Sequence, residues 1–92
     1  MSRHALIVYN PAAGTAVNPD LWLGTVVHRL CDQYTVSVLT THPGMTGTDL
    51  FSAISDPLDL VVAAGGDGTI RFALGAVAER KSDIPVGIIP LG

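Results

Sequence analysis

Ninety-two residues suffice for one domain at most, since domains cluster around ~100–150 residues. The composition, 48% hydrophobic and 14% charged with ten Gly and six Pro, is that of a packed protein, and with two Phe, two Tyr and one Trp its core falls to Val, Leu, Ile and Ala. Net charge is −3, with no basic stripe and no basic amphipathic helix, which argues against nucleic-acid binding and against a helix lying on a membrane.

Met1-Ser2-Arg3-His4 leads straight into the apolar run Ala5-Leu6-Ile7-Val8-Tyr9, a strand ended by Asn10-Pro11. That start lacks the long apolar region of a secretory leader, and no run approaches the ~20 apolar residues of a membrane span. The expected location is the cytoplasm. Asn18-Pro19-Asp20 then offers a helix start, with Asn as N-cap, Pro at the first helical position and an acid near the positive end of the dipole. Leu23, Val26, Val27, Leu30 and Cys31 follow at helical spacing, which predicts a buried Cys31. As the single cysteine it excludes a disulfide framework and a Cys-based metal site. Gly24 inside this helix suggests a close approach to the sheet, and Trp22 reads as a packing anchor rather than a binding platform.

Tyr34–Thr40 alternates and is rich in β-branched residues, a second strand. His42-Pro43-Gly44 is a turn, and 46–55 predicts a short helix with Leu50, Ala53 and Ile54 on one side. Leu58–Ala64 is a third strand running into Gly65-Gly66-Asp67-Gly68-Thr69. Thr69 can cap a third helix whose buried face is Ile70, Ala73, Leu74, Val77 and Ala78. Pro85 introduces a fourth strand, Val86-Gly87-Ile88-Ile89, closed by Pro90.

The order β-α-β-α-β-α-β predicts an α/β fold: a three-layer parallel sheet of about four strands, order 2-1-3-4, with right-handed crossovers and helices on both faces. Ligands of such sheets bind beyond the carboxyl ends of the strands, where the strand order reverses. Here that point lies between the first and third strands, which are the two followed by Gly-containing breaks.

Three glycines between a buried strand and a helix let backbone N–H groups face outward without Cβ obstruction, and the helix aims its positive end at the same spot. Polyphosphate is the anion best served by this arrangement. Asp67 would repel bare phosphate, so it is expected to address a magnesium ion or a hydroxyl. Thr69 can cap the helix or bond a phosphate oxygen, and Thr40 can donate into the same cleft. The structural alternative is a tight turn with a supporting Asp and a routine cap. The chain has no G-x-x-x-x-G-K-[ST] and no G-x-G-x-x-G after its first strand, so neither a P-loop nor a dinucleotide dehydrogenase is indicated. His4, His28 and His42 lack a common spacing, which argues against metal ligation by histidine.

Taken together, Asn10-Pro11-x-x-Gly14, Thr40 with Pro43-Gly44, Gly65 to Thr69 and Pro90-Leu91-Gly92 resemble the diacylglycerol kinase catalytic domain over the whole chain. That family includes bacterial lipid kinases, sphingosine kinases and ceramide kinase. Gly-Gly-Asp-Gly-Thr is shared with NAD kinases and, loosely, phosphofructokinases, and the Asn-Pro-x-x-Gly start tilts the choice toward lipid kinases. The resemblance implies magnesium-assisted transfer of the γ-phosphoryl group of ATP to a lipid hydroxyl. Asn10, Pro11, Gly14, Thr40, Gly65 to Thr69 and Arg71 would then line the nucleotide site, with Asp67 near the metal.

Two departures stand out. Arg71-Phe72 occupies the place where family members often carry Asn-Glu, and Pro90-Leu91-Gly92 is normally followed by Thr, a nearby Asn and a β-rich second domain bringing the lipid site and the general base. The chain is therefore expected to be the nucleotide-binding part of a larger, membrane-associating enzyme, inactive alone, with apolar surface around Ile88-Ile89-Pro90-Leu91 favouring self-association. The competing expectations are an NAD kinase-like enzyme and a non-catalytic interaction module.

Overall fold

The computed structural model describes residues 3–11, 21–52, 57–80 and 83–90. Four strands, β1 (Arg3–Tyr9), β2 (Tyr34–Thr40), β3 (Leu60–Gly65) and β4 (Val86–Pro90), form one sheet in the order β2-β1-β3-β4. All three pairings are parallel, with Ile7 opposite Val38 and Val62, and Ala63 opposite Ile88. Among the described residues three helices alternate with the strands: α1 (Leu23–Leu30), α2 (Gly47–Ser52) and α3 (Asp67–Glu79). The α/β architecture and the strand order read from the sequence are those observed.

The central strands β1 and β3 are buried almost end to end, as an apolar strand covered on both faces must be. Because side chains alternate, Leu6 and Val8 share one face with Val61 and Ala63. On that face they pack with Leu50 of α2 and with Ala73, Ala76 and Val77 of α3, in a cluster joined by Leu58 just before β3. Tyr9 belongs to the opposite face. There Trp22, at the N-cap position of α1, meets its ring edge-on, centroids 5.6 Å apart. Trp22 thus packs as the anchor the sequence suggested.

Asp59 ties the start of the β1/β3 pair, accepting from the His4 N–H at 2.8 Å and returning its own N–H to the His4 carbonyl. The imidazole Nε2 of buried His4 pairs with Ser37 Oγ at 2.7 Å. This polar group sits at the end of the sheet away from the glycine loop.

The helices depart from expectation in several details. α1 has half-buried Leu23, Val26, Val27 and Leu30 but no fully buried residue. The helix ends at Leu30, so Cys31 is its C-cap and is exposed, its Sγ donating to the His28 carbonyl at 3.2 Å. Gly24 is exposed with open space where a Cβ would stand, so it permits no close approach to the sheet. The proposed start at Asn18-Pro19-Asp20 lies outside the described residues, as do Ala53 and Ile54.

α3 buries Thr69, Ala73, Ala76 and Val77, whereas Leu74 is 45% exposed and Ala78 is exposed. The arc facing the core is centred on Ala73, with Ala76 and Val77 beside it and Ile70 and Phe72 half-buried at its borders. Against α2, a Cβ on Gly47 would lie 3.1 Å from both Cα and Cβ of Ala76. Two helices that approach this closely need small residues at the seam, which Gly47 and Ala76 supply. At the far end of the same seam the Arg80 guanidinium stands over the Phe51 ring, 4.4 Å from its centroid.

Candidate functional site

The carboxyl ends of β2, β1 and β3 open into one cleft of about 350 Å³, lined by Asn10, Thr41, His42, Pro43, Met45, Gly66, Gly68, Thr69 and Phe72. It sits where the strand order reverses, at the mouth of the sheet, the usual ligand position in open α/β folds.

Its floor is the loop from β3 into α3. Gly65 ends the strand at φ +153°, a conformation that L side chains rarely adopt. A Cβ there would also lie 2.9 Å from Thr69 Oγ1, so glycine is required by backbone and by packing alike. The chain then turns at Gly66, which is the N-cap of α3 in extended conformation and contributes no side-chain cap. Thr69 is therefore not the cap expected from the sequence. The helix begins at Asp67, three residues before the start that a cap at Thr69 would give, and Thr69 lies in its first turn, buried against Gly65.

The first bond closing the helix runs from the Ile70 N–H to the Gly66 carbonyl at 3.2 Å. The N–H groups of Asp67, Gly68 and Thr69 precede it and have no acceptor within the helix. Together with the helix dipole they form a positive backbone patch at the cleft. Gly66 and Gly68 border it, and a Cβ at either would meet nothing within 4 Å. Neither has positive φ. Among the described residues, their lack of a side chain therefore serves no packing or strain; it leaves the space over the amides open.

The opposite wall comes from the β2–α2 connection. The N–H of Thr41 donates to the Tyr9 carbonyl at 2.8 Å, which prolongs the β1/β2 ladder by one residue and presents Thr41 to the cleft. The tight turn 42–45 follows, closed by the Met45 N–H on the His42 carbonyl at 3.1 Å, with Gly44 at φ +85°. Pro43 at the second turn position and glycine at the third are the residues that this backbone asks for. His42 Nδ1–H donates to the Pro43 carbonyl at 3.0 Å, leaving Nε2 as its other polar atom.

Next, Thr46 and Asp49 cap each other's backbone at the start of α2: the Thr46 N–H donates to Asp49 Oδ2 at 2.9 Å and the Asp49 N–H to Thr46 Oγ1 at 3.2 Å. The Thr46 backbone and hydroxyl bonds, with a smaller contribution from nearby His42, hold the Asp49 carboxyl below its ordinary pKa.

Of the residues singled out from the sequence, Asn10, Gly66, Gly68 and Thr69 come together in the cleft. Gly65 supports it from beneath. Asp67, on the first turn of α3, and Arg71, just beyond that turn, are exposed and do not line it. Thr40 pairs with Tyr9 and points to the other face of the sheet, so Thr41 takes the lining position. Pro11 is exposed beside Asn10, and Gly14 lies outside the described residues. Thr41, His42, Met45 and Phe72 were missed. The first three sit on a turn whose direction only the β1/β2 register reveals, and Phe72 shares a face with Gly68 and Thr69 at helical spacing, a signal that was present.

The family model for the diacylglycerol kinase catalytic domain matches residues 4–92. Among curated relatives, the diacylglycerol kinase of Staphylococcus epidermidis is 29% identical over 93 residues, covering all of this chain and 29% of that protein. Those of Staphylococcus saprophyticus and Staphylococcus aureus are each 28% identical, covering all of this chain and 30% of theirs. The chain thus spans less than a third of the length of these relatives. No solved structure matches it.

Proposed function

The chain belongs to the diacylglycerol kinase catalytic domain family, and from that premise we propose that it forms the nucleotide-binding side of an ATP-dependent lipid kinase. The reaction is transfer of the γ-phosphoryl group to a lipid hydroxyl such as that of diacylglycerol. The amides of Asp67, Gly68 and Thr69 cradle the phosphates, Asn10 and Thr41 bond the nucleotide from β1 and β2, and Arg71 meets phosphate charge from the solvent side. Phosphoryl transfer asks for positioning and charge neutralisation more than for covalent chemistry from the protein, which is what this loop supplies. The chain spans less than a third of its curated relatives, and the reading assigns it the nucleotide side of the reaction alone.

Magnesium fits the residues in one way only. Among the described residues no three His, Cys, Asp or Glu side chains cluster as a metal cage. Asp67 is a single exposed carboxylate at the helix start, which suits an ion that arrives on phosphate oxygens and keeps its waters. Magnesium would neutralise phosphate charge there. No helix among the described residues is long and apolar enough to cross a membrane.

The observation that carries the reading is the open space over Gly66 and Gly68, two glycines that packing among the described residues does not require. A thermal melt with and without magnesium-ATP tests it. A ligand bound only to the folded state raises stability by RT ln(1 + [L]/Kd), so the midpoint should rise, and Asp67→Ala should abolish the rise. A cooperative melt unmoved by millimolar nucleotide would refute the proposal.

A further inference from the structure

The cleft is chemically two-ended. One end holds the backbone N–H groups of Asp67, Gly68 and Thr69, bordered by Gly66 and Gly68; the other is a wall of Pro43, Met45 and Phe72. Phe72 follows Gly68 by four residues and Thr69 by three, so it stands one turn further on the same helix face. Phe72 and Gly68 line the same cleft, and a Cβ on Gly68 would meet no atom within 4 Å, so the space beside the ring stays open. Phe72 packs its inner part against the core and leaves the remainder to the cleft, and Met45 faces it, half-buried, from the 42–45 turn. Met and Phe side chains together make an adaptable, polarisable slot for a flat ring.

We propose that Phe72 and Met45 form the nucleobase subsite of the cleft, and that Phe72 is a specificity-determining residue selecting nucleotides over other polyphosphates by stacking on the base. The inference rests on the nucleotide reading above and adds to it which end of the cleft takes which end of the ligand. A polyphosphate carrying a flat, weakly polar ring is the ligand class that satisfies both ends within one cleft of this size. An acyl chain would use the wall and leave the amides unanswered.

The test compares magnesium-ATP with magnesium tripolyphosphate, which has the charge and lacks the base, by titration calorimetry of the full 92-residue chain and its Phe72→Leu, Phe72→Tyr and Met45→Ala variants. Leu keeps the packing against the core and removes the ring face. The unsubstituted protein should prefer ATP by roughly tenfold, within the range that base–aromatic stacking gives. Phe72→Leu should lose most of that preference with tripolyphosphate affinity unchanged, Phe72→Tyr should keep it, and Met45→Ala should reduce it.

Equal affinity for the two ligands in the unsubstituted protein, or a preference that survives Phe72→Leu, would overturn the subsite and leave the nucleotide reading standing. Failure to bind either ligand would overturn both. A short-chain diacylglycerol that raises the melting midpoint of the unsubstituted protein but not of Phe72→Leu would assign the wall to the lipid acceptor and overturn the inference.

Discussion

The two helices flanking the cleft begin in opposite ways. At the start of α2, Thr46 and Asp49 satisfy each other's backbone, and Gly47 is pressed against Ala76 with no room for a Cβ. At the start of α3 there is no side-chain cap, and Gly66 and Gly68 face open space. Both starts carry glycine and an acid, but one is finished by the protein itself and the other is left for something to finish. A glycine that packing demands marks structure; a glycine that packing does not demand, beside N–H groups lacking an acceptor, marks a site. The loop also contains its own internal control, since Gly65 is of the first kind and its neighbours are of the second.

That contrast can be broken by substitution. Gly65→Ala should cost the most, roughly 3 kcal/mol, because it combines positive-φ strain with a forced contact on Thr69; chemical denaturation would measure it. Gly47→Ala should cost about 1–3 kcal/mol, since the obstacle includes the Ala76 backbone and cannot swing aside. If the α2 start is purely structural, magnesium-ATP should still raise the melting midpoint of that variant. Thr46→Ala removes half of an exposed capping box and should cost about 0.5–1 kcal/mol, read as a small drop in midpoint.

The smallest effect is that of pH. Asp49 has a folded-state pKa below its unfolded value of 3.8, so its contribution is fully present above that value and disappears as pH falls through the lower folded pKa. Melting curves from pH 5 downward should therefore lose a small increment that Asp49→Asn lacks. An equal acid sensitivity in the two proteins would show that the α2 cap does not hold the carboxylate.

Much of the fold was legible because its signals are local. β1 and β3 announce themselves as unbroken apolar runs between turn residues, and alternating strand and helix patterns leave few topologies for a parallel sheet. The turn at Pro43-Gly44 and the glycine loop were legible for the same reason. What sequence concealed was rotation and register. The buried face of α3 takes in a helix-to-helix seam at Gly47 and Ala76, a contact between residues far apart in the chain, so the sequence reading placed Leu74 and Ala78 on it and left Ala76 out. Thr41 rather than Thr40 lines the cleft because the β1/β2 ladder runs one residue past the strand, and a single step in a strand changes faces. Thr69 looked like a cap because threonine caps helices; its burial against Gly65 follows from an N-cap at Gly66 that no side chain advertises.

The central claim, that the space over Gly68 is kept for phosphate, is tested most directly by Gly68→Ala. Alanine is the better helix former and meets no neighbour there, so the variant should be more stable than the parent by up to ~1 kcal/mol in the absence of ligand. With magnesium-ATP the order should invert in affinity, the methyl group weakening binding about tenfold or more through loss of a charge-assisted amide contact. A variant that melts higher and still takes the full nucleotide shift would contradict the account.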